Sequence, residues 1–145
     1  MADFNACRKI TLMNATGNNP KIKIVLLDFH SLFREGIRAL LADQTHIEIL
    51  GEASHLESGI SIIKQEKPDL ITLDIAMPSQ SGMRTFRMFK DSEELKSIPV
   101  IIITGMGENV SSFIKRLKGF SSQPEGFMGK PIDEEKLIKM VSDLI

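Results

Sequence analysis

Five short apolar runs, each followed by a segment with helical spacing, limit the fold of this chain more than any other feature. The runs cover residues 22–27, 47–53, 70–73, 100–103 and 126–129, and the second and fifth have the weakest apolar character. Strands buried on both faces form continuous apolar stretches of this length. Strands that alternate with helices predict an α/β fold, in which a parallel sheet is covered on both sides.

The segments between the apolar runs have the three- and four-residue spacing of amphipathic helices. Ser54 and Glu57 have the spacing of a capping box, which places the start of a helix at the serine. Asp133 is placed to cap the last helix. Helices are therefore predicted over about residues 32–42, from residue 54 onward, over 83–95, over 109–118 and from residue 133 to the last residue.

Composition narrows the class of protein. The chain has 145 residues, a net charge of -1 and one cysteine. This length suits one domain, the balanced charge argues against a general nucleic-acid binder, and a single cysteine excludes an internal disulfide. Since no apolar run approaches the roughly 20 residues of a membrane span, we expect a cytoplasmic protein without membrane contact.

The first twenty residues differ from the rest of the chain. Residues 14–20 contain three asparagines, a glycine and a proline, which interrupt helices and strands, and little before them is periodic. We predict a flexible tail over residues 1–20 and a single globular domain over residues 21–145.

Four of the five predicted strands end in a polar residue, namely Asp28, Asp74, Thr104 and Lys130. Open α/β sheets bind ligands outside the carboxyl ends of their strands, so these side chains are predicted to meet at one edge. Paired carboxylates suit Mg²⁺, and a hydroxyl with a lysine suits the oxygens of a phosphoryl group. Each residue alone also fits an ordinary strand end, where Asp74 would only cap a turn; the four together indicate a site.

Four blocks of the sequence resemble a known family. VLLDFHSLFREGIRALL, PDLITLDIAMP, IIITG and GFMGKPID are similar, in order and spacing, to the receiver domain of two-component response regulators. The first block is most similar to the subgroup that usually carries a C-terminal helix-turn-helix. The resemblance covers residues 21–145. It implies the doubly wound, flavodoxin-like (βα)5 fold of chemotaxis regulators, with a five-stranded parallel sheet in the order 2-1-3-4-5.

The resemblance also implies a phosphoacceptor and a metal site. Asp74 matches the aspartate that attacks a phosphohistidine and becomes an acyl phosphate. Asp28 and Asp74 would hold Mg²⁺ together with the backbone carbonyl of Ala76. The implied partners are a sensor histidine kinase or a phosphotransfer protein, and a downstream protein effector.

Other matched positions would contact the phosphoryl group or report its presence. Thr104 would donate a hydrogen bond to a phosphoryl oxygen, and Lys130 would pair with it. Phe127 matches an aromatic position whose ring rotates inward in activated receivers. Pro131 matches a proline that often follows a cis peptide bond and directs the lysine.

One departure from the family pattern affects the metal site. Receivers usually have two adjacent acids after the first strand, but here Phe29 follows Asp28. A phenyl ring cannot coordinate Mg²⁺, so we expect weak binding of the ion and weak phosphorylation of Asp74. Phe29 itself is expected to be a core residue. His30, His46 and His55 lack metal-ligand spacing and are expected on the surface or in loops.

A second departure affects the expected partner surface. The segment between Thr104 and Lys130 is about four residues longer than is typical, and the excess is assigned to residues 119–124. We predict a partner surface that includes Lys115, Lys118, Phe127 and this loop, because exposed loops often carry function. Receivers often form homodimers through this face, and such a homodimer is left open here.

Three function classes compete. The first is a phosphorylated receiver that signals by protein contact, and the second is a receiver-like interaction module that works without phosphate because of Phe29. The third, a hydrolase with an aspartate nucleophile, is disfavoured because Ala76 stands where such enzymes have a second aspartate. We therefore expect no enzymatic role. Direct DNA binding is not expected, because nothing after Ile145 forms a reading helix.

Overall fold

The computed structural model describes residues 20–76, 82–105, 115, 119 and 122–145. Five strands form one parallel sheet in the order β2-β1-β3-β4-β5, as the sequence predicts. Their bounds are β1 Ile22–Leu27, β2 Ile47–Ala53, β3 Leu70–Leu73, β4 Val100–Thr104 and β5 Gly126–Gly129. The apolar runs coincide with these strands because both faces of the sheet are covered.

Four helices lie in the described part of the chain. They are α1 Ser31–Leu41, α2 Leu56–Glu66, α3 Gly82–Asp91 and α4 Glu134–Leu144. Asp133 caps α4 as predicted, since its Oδ1 accepts a hydrogen bond of 3.0 Å from the amide of Lys136. The predicted tail over residues 1–20 and the predicted helix over 109–118 fall almost entirely outside the described residues, so neither is tested.

Two predicted helix ends are wrong. Helix α2 begins after His55, not at Ser54, and the side chain of His55 makes no capping hydrogen bond. His55 is extended, and its carbonyl accepts from the amide of Gly59 at 3.0 Å and from the hydroxyl of Ser58 at 3.1 Å. Helix α3 ends at Asp91 instead of residue 95. Leu95 keeps its place in the core because the turn that follows α3, in which its amide donates to the carbonyl of Ser92, brings it there.

The sheet separates two apolar layers, and alternate residues of β1 point into each. Val25 and Leu27 pack with buried residues of α2 and α3, whereas Ile24 and Leu26 pack with buried residues of α1 and α4. Helices therefore cover both faces, as in a doubly wound fold. Among the described residues, no helix is both long and apolar enough to cross a membrane.

The register of the central strands places the ends of β1 and β3 side by side. Leu27 pairs with Leu73, and the amide of Asp74 donates to the carbonyl of Leu27 at 2.9 Å. On the other side of β3, Leu73 pairs with Ile102, and Thr104 of β4 pairs with Gly129 of β5. The residues that follow these strands therefore meet at one edge, called the carboxyl edge below.

Candidate functional site

Two buried carboxylates lie next to each other at the carboxyl edge. The side chains of Asp28 and Asp74 are 4% and 0% exposed. Each follows the last residue of a central strand, and the pairing of Leu27 with Leu73 makes the two aspartates neighbours. Carboxylates are seldom this buried without a positive partner, because desolvation disfavours their charged form.

Lys130 supplies that positive partner. Its Nζ lies 3.0 Å from Oδ2 of Asp28 and 3.3 Å from Oδ2 of Asp74, and 3.8 Å from the centroid of the Phe33 ring. Lys130 follows β5, its amide donates to the carbonyl of Thr104 at 2.8 Å, and the peptide bond to Pro131 is cis, as the resemblance implies. Because one ammonium faces two carboxylates, these three side chains carry one net negative charge when all are ionised.

Oδ1 of each aspartate accepts a hydrogen bond from the backbone amide of the residue two positions later in the chain. The amide of His30 donates to Oδ1 of Asp28 at 2.8 Å, and the amide of Ala76 donates to Oδ1 of Asp74 at 2.9 Å. Such bonds are typical of aspartates that begin a turn, and they fix the orientation of both side chains. The contact described for Ala76 is thus made by its amide, and the metal role of its carbonyl stays a prediction.

Burial raises the pKa of Asp74 above its ordinary value. The hydrogen bond from the amide of Ala76 acts against this increase, the charge of Asp28 adds to it, and Lys130 again opposes it. The net direction is upward, which shows that the ionised Asp74 is not fully compensated by its surroundings. A further positive charge at this edge would therefore be stabilising.

Thr104 and Phe127 occupy different positions relative to this pair. Thr104 is fully buried at the end of β4, on the same edge as the carboxylates. Phe127 lies within β5, where it pairs with Ile102 and packs, half-buried, against the core layer of α2 and α3. Lys115 is exposed, and Lys118 lies outside the described residues. The structure does not test the functional roles predicted for these residues.

The expectation that Phe29 is a core residue is wrong. Its side chain is 42% exposed, and its ring contacts those of His30 and His55 edge-on, at centroid distances of 5.5 and 6.4 Å. The chain leaves the sheet after Asp28, and α1 begins at Ser31. Residue 29 therefore lies on the connection between strand and helix, outside both apolar layers.

His30 is the part of the site that the sequence analysis missed. Its side chain is 59% exposed, as expected for a surface residue, but Nδ1 lies 3.4 Å from Oδ1 of Asp28 and 4.0 Å from Oδ2 of Asp74. The spacing of His30 from His46 and His55 is not that of metal ligands, so a comparison among histidines does not reveal the site. The place of His30 two residues after a strand-end aspartate was the signal that could have found it.

The arrangement fits a divalent cation. Asp28, His30 and Asp74 each offer one donor atom, and these three atoms lie within 4.8 Å of one another. Two buried carboxylates with one ammonium retain a negative charge that attracts a dication. The two carboxylates therefore suit the Mg²⁺ implied by the sequence, although Phe29 contributes no oxygen ligand.

Comparison with known proteins decides the family. Residues 24–142 match the profile of the response regulator receiver domain. The chain belongs to this family. Its sheet order and paired helix layers are those of the receiver fold, so the fold and the resemblance stated from the sequence blocks are both confirmed. Receiver domains are signalling modules that interact with histidine kinases or phosphotransfer proteins, and they generally bind Mg²⁺ through acidic residues.

Two curated relatives illustrate the similarity. The chain is 30% identical over 122 residues to the nitrate/nitrite response regulator protein NarL of Escherichia coli (strain K12), which covers 84% of this chain and 54% of NarL. It is 34% identical over 123 residues to the transcriptional regulatory protein BtsR of the same strain, which covers 85% of this chain and 48% of BtsR. The chain thus spans about half the length of these relatives.

Solved structures share the fold. The chemotaxis protein CheY4 of Vibrio cholerae superposes with a TM-score of 0.73 at 18% identity, over 86% of this chain and 99% of that one. A two-component response regulator of the LuxR family from Aurantimonas sp. SI85-9A1 gives a TM-score of 0.72 at 22% identity, over 86% and 84% of the two chains.

Proposed function

We propose that this receiver domain accepts a phosphoryl group on Asp74 from the phosphohistidine of a sensor histidine kinase or phosphotransfer protein, and signals to a protein effector. The observation that carries the proposal is the buried pair of Asp28 and Asp74, which shares the single ammonium of Lys130. A carboxylate held this way is oriented, incompletely compensated and adjacent to a cation, as a nucleophile for phosphoryl transfer requires.

The side chains of the carboxyl edge have separate roles in the proposed transfer. An oxygen of Asp74 forms a bond to phosphorus while the bond from phosphorus to the histidine nitrogen breaks, and the imidazole leaves. The amide of Ala76 keeps the other oxygen of Asp74 turned away, since it already donates to Oδ1. Lys130 neutralises the charge on the transferred group, and the hydroxyl of Thr104 donates to one of its oxygens.

Asp28 and Asp74 would hold Mg²⁺ in this proposal. When bound, the ion supplies positive charge to the phosphoryl oxygens. Phe29 removes one of the oxygen ligands that receivers usually offer, so occupancy of the cation site is expected to limit the rate of transfer. Asp28 is oriented for this role by the amide of His30, which holds its Oδ1.

The test is phosphorylation by a small phosphodonor over a titration of Mg²⁺. We expect Asp74→Asn to abolish labelling, because the nucleophilic oxygen pair is lost, and Phe29→Asp to lower the concentration of Mg²⁺ that is needed. Asp69→Asn is the matched control. Asp69 is an aspartate at the other end of β3, where it accepts from the amide of Lys23.

One observation favours a second candidate, an interaction module that works without phosphate. Phe29, which follows Asp28, and Leu32, in the first turn of α1, are exposed apolar side chains. Such side chains are suited to contact with a protein partner. If neither the wild type nor Phe29→Asp is labelled at any Mg²⁺ concentration, this second function replaces the first.

The same titration tests the effect of Phe29 on the cation site. Full labelling of the wild type at low Mg²⁺, unchanged in Phe29→Asp, would contradict the limiting effect of Phe29.

A further inference from the structure

His30 gives the acidic pair a nitrogen donor in addition to its oxygens. We propose that Nδ1 of His30 joins the carboxylates of Asp28 and Asp74 as a ligand of a divalent transition ion such as Zn²⁺ or Fe²⁺. The inference rests on the proposed function only in placing the cation beside Asp74; it concerns which ion the site prefers and which side chain sets that preference. Among the described residues, these three form the one group of metal-ligating side chains with donor atoms so close together.

One distance already suits shared coordination, and the others require movement on binding. Bonds from such ions to nitrogen and oxygen ligands are about 2.0–2.2 Å long, so two ligands at a tetrahedral angle lie roughly 3.4 Å apart and two opposite ligands roughly 4.2 Å apart. Nδ1 of His30 is 3.4 Å from Oδ1 of Asp28, at the tetrahedral spacing, and 4.0 Å from Oδ2 of Asp74, near the spacing of opposite ligands. All three donor atoms lie within 4.8 Å of one another, so the ligands must move closer together when the ion binds.

The backbone of His30 is held by hydrogen bonds, and its imidazole has an aromatic neighbour. The amide of His30 is bound to Asp28, and its carbonyl accepts from the amide of Arg34 at 3.2 Å in the first turn of α1. The ring of Phe29 packs edge-on against the imidazole. Because a metal site depends on the orientation of its ligands, these contacts favour coordination by this particular histidine.

The chemistry of the donors separates transition ions from Mg²⁺. Imidazole nitrogen suits Zn²⁺ and Fe²⁺, whereas Mg²⁺ prefers an octahedral shell of oxygens and dehydrates reluctantly. Phe29 has replaced an oxygen ligand at the neighbouring position, and His30 brings a nitrogen to the same acidic pair. The loss of this oxygen weakens the site for both kinds of ion, and the imidazole compensates only for an ion that accepts a nitrogen ligand.

The test is calorimetric titration of the unphosphorylated, metal-free full chain with Zn²⁺ and, separately, with Mg²⁺. His30→Phe keeps a planar ring beside Phe29 but removes the donor; we expect it to raise the Kd for Zn²⁺ at least about tenfold and to change the Kd for Mg²⁺ less than about twofold. His46→Asn is the control, because His46 lies before β2 at the opposite end of the sheet. A Zn²⁺-induced shift of the Nδ1 resonance of His30 should accompany binding to the wild type.

The outcomes are separable from those of the phosphorylation test, because no phosphodonor is present. If His30→Phe leaves the Kd for Zn²⁺ unchanged, or changes both Kd values by the same factor, the role of His30 is refuted even when Asp74 is labelled. If the selective loss and the Nδ1 shift are found but Asp74 is never labelled, the metal site stands and the proposed phosphoacceptor function fails. His30→Asp should shift the preference toward Mg²⁺, and failure to do so would also contradict the inference.

Discussion

Two lysines near opposite ends of the sheet meet different amounts of negative charge. At the amino ends of β4 and β5, Lys90 lies 2.7 Å from a carboxylate oxygen of Glu125 and donates to the carbonyl of Ile98 at 3.2 Å. The other oxygen of Glu125 accepts from the amide of Val100 at 2.7 Å. At the carboxyl edge, Lys130 faces both Asp28 and Asp74.

The difference separates an ion pair that joins elements of the fold from a cluster that retains a net charge. The charges of Lys90 and Glu125 balance, and their remaining hydrogen bonds tie α3 to the starts of β4 and β5. The charges at the carboxyl edge do not balance, and the pKa of Asp74 is raised mainly by its burial. An unbalanced buried pair costs stability in the free protein but increases attraction for a cation.

The largest effect is expected from breaking the balanced pair. Glu125→Gln should lower the free energy of unfolding by about 2 kcal/mol, because the ammonium of Lys90, whose side chain is only 6% exposed, loses its counter-ion. Urea denaturation measures the change, and Glu48→Gln on the exposed side of β2 is the control. A loss no larger than that of the control would mean that the pair is not structural.

A divalent cation should stabilise the wild type, because it neutralises the excess charge at the carboxyl edge. At ten times its Kd, a cation bound only by the folded state adds about 1.4 kcal/mol to the free energy of unfolding. Thermal denaturation with and without the cation measures this gain. Glu125→Gln should retain the full gain and Asp74→Asn should lose most of it; an equal gain in both variants would place the cation elsewhere.

Asp74→Asn should stabilise the metal-free protein at pH 7. The substitution removes one of two buried like charges and leaves Asp28 balanced by Lys130, so the free energy of unfolding is expected to rise by about 1 kcal/mol. The corresponding substitution at the balanced pair, Glu125→Gln, is expected to lower the free energy of unfolding instead. Destabilisation by both variants would show that the two ends of the sheet do not differ in the way described.

The smallest effect is a pH dependence. Since the pKa of Asp74 is raised in the folded state, the folded protein holds a proton at pH values where the unfolded chain has lost it. Its contribution to stability is therefore present below the ordinary pKa of 3.8 and is lost as the pH rises through the raised value. The difference between the unfolding free energies of wild type and Asp74→Asn, measured from pH 4 upward, should show this decrease; a constant difference would contradict it.

The strands were predictable because their pattern is local. Four of them, such as Leu70–Leu73, have the bounds of the predicted runs, and Thr104 extends the fourth run by one residue. Helix ends were less predictable. Leu95 has the spacing of a helical residue but reaches the core through a turn. Ser54 has the spacing of an N-cap residue, but His55 is the N-cap in the structure.

The amino-acid sequence by itself determined the layered fold, the family and the acidic pair with its lysine, because these depend on runs of residue types and on the residue that ends each run. Only the tertiary structure decided that His30 faces Asp28 and Asp74, that Phe29 is exposed, and that Lys130 serves two carboxylates at once. These facts depend on where a strand-to-helix connection turns and on the register of β1 against β3. The contacts of Lys130 with Asp28 and Asp74 join residues that are 102 and 56 positions apart in the chain, so no local pattern contains them.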